Sequence, residues 1–435
     1  MTDRVRPSGR QGGTGKRGRA GLRAGVVASV CALVATGTVA AVPAAAGTAG
    51  GQWDGSRGGH AATRAALDAI VAEGTPGALA AVREGRHRWS GDAGVADLDT
   101  GEQRRPTDHF RIGSLTKTFT ATVLLQLDAE GVLSLDDTVE DWLPGLVRGQ
   151  GNDGRKVTLR HLLNHTSGIF NYNRDAGFLA KFTGESFLVH RYDGSTPEEL
   201  VGIGLSHPPL FAPGTGWAYS DTNYILAGLV IEKATDDDYA EQVERRIVEP
   251  LRLRSTLVPG SSPALPRRHG RHYSRLYDDA PNAAVHDVTE FNPSVAGAAG
   301  EIISNTRDVN RFFGALLRGE LLPRQQMKEM FAAVPVVEEE AGEGEEEPAS
   351  TRRTPGPTEA AAVYGLGIRG DTLSCGVTVW GHGGQVPGSL SRVAATRDGR
   401  HVLTLNRNGD WGSQAAEDAV LEAEFCDRWA APVRS

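Results

Sequence analysis

The sequence predicts an α/β (α+β) fold: an antiparallel sheet formed by both chain ends and flanked by helices, with an inserted, mainly helical lobe. Three observations predict it. Strand-like runs gather at the two ends, at 78–94 and 378–406, and the stretch between about 159 and 322 reads as helices joined by Pro- and Gly-rich loops. With 435 residues, 39% of them hydrophobic, the chain is long enough to bury a core and too apolar to be disordered throughout. Its 55 Gly follow no three-residue period and no heptad persists, which excludes collagen-like and coiled-coil chains.

The N-terminus comes first. Residues 1–24 carry Arg4, Arg6, Arg10, Lys16, Arg17, Arg19 and Arg23 against Asp3 alone. An apolar stretch from Gly25 to Val42 follows, and Ala44 and Ala46 then satisfy the small-residue rule for cleavage. Residues 1–46 are therefore expected to be a secretory signal peptide, with 47–60 a flexible mature N-terminus and the mature chain secreted or extracellular. An uncleaved anchor is the weaker alternative, because the stretch is rich in Ala, Gly and Thr and barely long enough to span; no stable membrane span is expected after cleavage. Removing those basic residues leaves a chain more acidic than the overall net charge of −8, with no basic patch for nucleic acid. Part of that charge lies at 338–359, where eight Glu face Arg352 and Arg353, read as an acidic disordered loop. Of the 3 Cys, cleavage removes Cys31. Cys375 and Cys426 remain, an even pair in an oxidising compartment, and are expected to form one disulfide; two buried free thiols are the alternative.

The main domain is expected over 61–429. A helix at 61–73 has Ala66, Ile70 and Val71 as its apolar positions and Gly74 as its stop. Runs at 78–83 and 87–94, separated by Glu84-Gly85, read as a hairpin. Ser114 opens a helix whose Leu115, Phe119, Val123, Leu124 and Leu127 share a face, and Gly131 ends it. The middle lobe holds helices at 224–234, 241–248 and 307–317. Strands at 378–380, 392–397 and 402–406 follow, each bounded by Gly or Asp-Gly, and a helix at 413–429 closes the chain. A cleft between the lobes is the default site.

Three segments carry residues with chemistry. Ser114-Leu-Thr-Lys117 places an ammonium one helical turn from a hydroxyl. A serine is a poor nucleophile until a neighbour takes its proton, and a desolvated lysine can do so; a serine at a helix start also lies near N–H groups able to hold an oxyanion. The spacing alone is weak, since this composition yields S-x-x-K roughly 0.3 times by chance, and an N-cap serine beside a surface lysine explains it equally. Tyr219-Ser-Asp221 lies in a Gly/Pro loop before a helix, where a tyrosine can present its hydroxyl to the cleft or simply pack. Tyr277-Asp-Asp279 has the same form but sits in a polar, His-rich loop and is discounted. His382-Gly383-Gly384-Gln385 follows a strand, and its glycines would let a substrate pair with the strand edge; a structural histidine is the plainer alternative. Gly365-Leu-Gly367-Ile-Arg-Gly370 matches G-x-G-x-x-G but runs into a strand, so no dinucleotide is implied. His269, His272 and His286 make only a weak metal cluster, no H-E-x-x-H or C-x-x-C occurs, and the absence of G-x-S-x-G argues against an α/β-hydrolase elbow.

Taken in order, S-x-x-K at 114–117, Y-x-[N/D] at 219–221 and H-x-G at 382–384 resemble the penicillin-recognising serine hydrolases, in the branch that contains class C β-lactamases. Supporting phrases are Phe110-Arg-Ile-Gly, Leu162-Leu-Asn-His165-Thr-Ser-Gly168, Pro213-Gly-Thr215 and Ala299-Gly-Glu-Ile-Ile-Ser304. Closest in pattern are the secreted bacterial D-alanyl-D-alanine carboxypeptidases, similar through Tyr364-Gly-Leu-Gly-Ile-Arg369 and Leu373-Ser-Cys375-Gly376, which pair the matching cysteine with one near the C-terminus.

The resemblance implies a β-lactamase/transpeptidase-like fold and Ser114 as acylated nucleophile, with Lys117 and Tyr219 as the proton-transfer pair. It implies an oxyanion hole from the backbone N–H groups of Ser114 and Gln385, and substrate contacts from Asp221, Arg369, His382, Gly383 and Gly384. Arg369 would reach a substrate carboxylate. No metal or organic cofactor is expected. The implied substrates are peptidoglycan-type peptides or other small acyl compounds on the outer side of a bacterial envelope, with β-lactams as covalent ligands. Three positions depart from the pattern. Asp221 replaces an Asn, and an ionised carboxylate cannot donate to a substrate carbonyl but can pair with Lys117 and raise its pKa. Gly383 and Gln385 stand where the carboxypeptidases have hydroxyl side chains. The expected activity is a D-alanyl-D-alanine carboxypeptidase; an esterase or β-lactamase-like amidase with the same site is the runner-up, and a non-catalytic binder of penicillin or cell-wall peptide is the rival of another class.

Overall fold

A computed structural model describes residues 59–278, 280, 282–336 and 360–426; the expected signal segment and the acidic loop lie outside the described residues. The strands that position the site form one eight-stranded antiparallel sheet. In chain order they are β1 (Gly77–Glu84), β2 (His87–Gly94), β3 (Val334–Pro335), β4 (Ala360–Tyr364), β5 (Arg369–Thr372), β6 (Thr378–Val386), β7 (Ser389–Ala395) and β8 (His401–Arg407). Their spatial order is β2-β1-β8-β7-β6-β5-β4-β3, so the first hairpin pairs directly with the last strand, Ala80 opposite Leu405.

Both faces of the sheet are covered, which is why β1 and β8 are buried along almost their whole length. On one face α1 (Ala61–Ala72) and the C-terminal helix (Gln414–Phe425) pack Leu67, Ile70, Val420 and Phe425 against Ala80, Val82, Leu403 and Leu405. On the other lie α2 (Thr116–Ala129), α3 (Asp221–Thr235) and α4 (Thr306–Leu317), in one larger core that takes in Phe119, Tyr224, Phe312 and Phe313 together with Val393 and Val402 of the sheet. Cys375, between β5 and β6, and Cys426, at the end of the C-terminal helix, are joined by a disulfide.

Several boundaries differ from those expected. The strand expected at 378–380 runs on through His382-Gly-Gly-Gln-Val386, because backbone pairing to β7 at every step from Trp380 to Val386 outweighs the weak strand tendency of glycine. Strand β4 was not expected, and β5 is the strand into which the segment at 365–370 was expected to run. The helix at 241–248 begins at Tyr239 and loosens into a π turn at Glu244–Val248 before Pro250.

Candidate active site

The site forms where α2, the start of α3 and β6 converge. Ser114 sits in a single 3-10 turn, Gly113–Leu115, immediately before α2. Gly113 has φ of 55°, and a Cβ on it would lie 2.7 Å from the Gln385 backbone nitrogen; a Cβ on Gly384 would lie 2.0 Å from the Ile112 carbonyl oxygen. Only glycines allow this approach, which brings the Ser114 and Gln385 backbones together.

Lys117 lies one turn into α2 with no exposed surface. Its ammonium donates to Ser114 Oγ at 3.0 Å, Asp221 Oδ1 at 2.5 Å and the Ala299 carbonyl at 2.8 Å, so each of its three protons has an acceptor. Burial pushes Lys117 below the usual ammonium range, and the neighbouring Asp221 charge opposes this without cancelling it. The expectation that Asp221 would raise Lys117 thus identifies a real pair but not the larger influence, which is desolvation.

Tyr219 shares a hydrogen bond with Ser114, and its ring lies 4.9 Å from Lys117 Nζ. Burial first, and then the Asp221 charge, hold its phenol well above the ordinary range, so Tyr219 is neutral. His382 donates from Nδ1 to the Gly383 carbonyl, which fixes the tautomer, and its Nε2 accepts from Tyr364 at 2.7 Å. Burial, with Lys117 close by, pushes His382 down to about 3, and it stays uncharged. Gly383 leaves ordinary contact distance, 3.4 Å, between a would-be Cβ and the Arg392 guanidinium. Arg369 projects from β5 and donates to Asp371 at 2.7 Å; Arg392 on β7 donates to the other oxygen of the same carboxylate at 2.5 Å.

Ser114, Lys117, Tyr219, Asp221, His382, Gly383, Gly384 and Gln385 therefore come together, with Arg369 at the β5 side. Sequence reasoning missed several neighbours. Asn173 donates to Asp221 Oδ2 and hydrogen-bonds Tyr172. Arg392 and Asp371 join Arg369. Tyr277, discounted above, hydrogen-bonds the Gln385 side chain. His165 brackets Tyr219: its carbonyl accepts from Ala218 N–H at 3.1 Å, its Nδ1 from Ser220 N–H at 3.2 Å, and its ring lies 4.3 Å from the Tyr219 ring. The available signal was the Leu162–Gly168 phrase, which marks a position without saying what it grips. His269, His272 and His286 do not form a potential metal-holding group among the described residues.

With the geometry in place, comparison with known proteins is decisive at one level: the β-lactamase family model matches residues 63–426. The chain belongs to the β-lactamase family. A solved structure of a D-stereospecific amidohydrolase from Streptomyces sp. is 51% identical, with a TM-score of 0.75, covering 85% of this chain and 99% of that one. D-amino acid amidase from Ochrobactrum anthropi, complexed with L-phenylalanine amide, is 27% identical with a TM-score of 0.70, covering 84% and 98%. Penicillin-binding protein 4* of Bacillus subtilis is 30% identical over 253 residues, 55% of this chain and 52% of that protein. The chain spans about half the length of the curated relatives it matches. It is a serine hydrolase of the β-lactamase family, and among the described residues no helix is long and apolar enough to cross a membrane.

Proposed function

We propose that this β-lactamase-family hydrolase acts, as a secreted enzyme, on amide bonds at D-amino acids through an acyl-enzyme on Ser114. The observation that carries the reading is the 51% identity to a D-stereospecific amidohydrolase over nearly the whole of that protein. In this reading Ser114 Oγ attacks the amide carbonyl and its proton passes to the neutral amine form of Lys117, the form burial favours. The oxyanion is received by the backbone N–H groups of Ser114 and Gln385. Tyr219, a neutral phenol, gives its proton to the departing nitrogen and recovers one from Lys117. Water then hydrolyses the ester, releasing the D-amino acid and Ser114.

A second reading, the D-alanyl-D-alanine carboxypeptidase, has one observation in its favour: Arg369 and Arg392 lie near enough to His382 to disfavour its protonation, so guanidinium groups stand beside the site where a substrate carboxylate would lie. Against it, Arg369 is already engaged by Asp371 and Gly383 offers no hydroxyl. Incubation with a D-amino acid amide, its L enantiomer and a D-alanyl-D-alanine peptide separates the two. Ammonia from the D-amide, with an acyl adduct at Ser114, is the expected result; faster release of D-alanine would install the carboxypeptidase instead. A β-lactam supplied to the same protein should add to Ser114, and its loss in Ser114→Ala locates the adduct.

A further inference from the structure

The polar groups beside the nucleophile differ from the family pattern in one consistent way: they accept hydrogen bonds where an asparagine would donate. Asp221 holds the position of that asparagine, and its carboxylate lies one hydrogen bond from Lys117 Nζ, itself 3.0 Å from Ser114 Oγ. Lys117 has no exposed side-chain surface, whereas the Asp221 side chain keeps 11%, so of the pair only Asp221 offers surface to a bound molecule. Asn173, the nearby amide, does not restore the lost donor. Its amide nitrogen is committed to Asp221 and its side chain to Tyr172, which leaves its carbonyl oxygen to offer, another acceptor.

We infer that Asp221 receives the free α-ammonium group of the substrate, so that the enzyme selects amides of D-amino acids with an unblocked amine over N-acylated ones. This rests on the proposed amidase reading and makes it more specific. The charge arithmetic at the site supports it. For Ser114 to be deprotonated, Lys117 must be a neutral amine, and Asp221 then has no cation. A substrate ammonium supplies one, and its positive charge disfavours protonation of Lys117 nearby, so binding the correct substrate readies the base. An N-acyl substrate brings a neutral amide instead, whose single N–H carries no charge to balance the carboxylate and whose carbonyl oxygen finds no donor on it.

The test uses D-phenylalanine p-nitroanilide and its N-acetyl derivative, following p-nitroaniline release by the purified chain. The unblocked anilide should be preferred about 100-fold or more in kcat/KM, the scale set by leaving a site's polar group unpaired. Asp221→Asn should cut that ratio at least 10-fold. Both rates will change together because Lys117 loses its charged partner, but the ratio cancels the shared change. A ratio unchanged in Asp221→Asn, or equal rates in the unmutated enzyme, overturns the inference while leaving the amidase reading intact; release from neither anilide overturns both. A measurement on the unmutated enzyme needs no folded variant. Its preference should fade as pH rises through the α-amino pKa of about 7.7, because a neutral amine carries no charge for Asp221. A preference constant across that range would also sink the idea.

Discussion

Two buried ionic clusters, one at the nucleophile and one where the chain ends meet, use similar groups to opposite effect. At the site Lys117 has three acceptors, only one of them charged, and burial outweighs the pairing. At the other cluster, Glu424 of the C-terminal helix accepts from Thr63 at 2.7 Å and pairs with His60 at 2.8 Å and His401 at 2.7 Å. Burial there would raise the carboxyl, yet the bonds from His401, His60 and Thr63 overcome it and hold Glu424 at about 2. The cluster ties α1, the β8 edge and the C-terminal helix together. The lesson is that burial of a charge becomes a structural tie when neighbours fully compensate it, and a chemical resource when they fall short.

The sharpest way to break the comparison is to remove chemistry without stability. Ser114→Ala should lower kcat by about 10⁴-fold or more and abolish covalent labelling, with the melting temperature unchanged, because Ser114 contributes little to either core. A residual adduct on mass analysis would mean another nucleophile. The reverse experiment removes stability without chemistry. Glu424→Ala should destabilise the fold by about 3 kcal/mol, the scale of moving a carboxyl from 4.5 to about 2, while kcat per folded molecule stays level. The sign follows from the depressed pKa. The contribution is complete above pH 4.5 and disappears as the pH falls towards 2, so urea unfolding midpoints of the two proteins should converge over that window. Parallel midpoints would deny the pairing. Cys375→Ser with Cys426→Ser, close to the same helix, should cost about 2–4 kcal/mol, again with kcat unmoved; a fall in kcat would couple the C-terminal helix to the site.

How much of this could be read beforehand follows from the same physics. The antiparallel sheet built from both ends was legible because its strand-like runs gather at the two chain ends and are bounded by Gly and Asp-Gly turn signals, and α4 because its apolar residues recur at helical spacing. The convergence of Ser114, Lys117, Tyr219 and the His382–Gln385 segment was legible only through the resemblance that the three motifs carry in order, since each spacing alone had a plainer explanation. What escaped is what three dimensions alone supply. Strand β6 is held by pairing rather than by the preference of its glycines, Asp371 bridges two arginines from different strands, and Asn173 reaches Asp221 across 48 residues.

The smallest expected effect probes the site's edge, where support and chemistry meet. His165 is fully buried, adopts φ of 63°, and accepts Ser220 N–H and the Asn223 amide on Nδ1, so the proton of its neutral ring resides on Nε2. Burial, with Lys117 and His382 close by, pushes its pKa far below the ordinary value, so it adds no titration of its own near neutral pH. Its effect must pass through Tyr219, whose two flanking N–H groups it holds. His165→Leu should therefore lower kcat by about 30-fold, within the range assigned to proton transfer, whereas His165→Asn, which keeps an acceptor near Nδ1 and tolerates positive φ, should recover much of that loss. In a Tyr219→Phe background the leucine substitution should have almost no further effect on kcat, because the phenol it positions is already gone. Additive losses in that double mutant would instead make His165 a general prop of the fold.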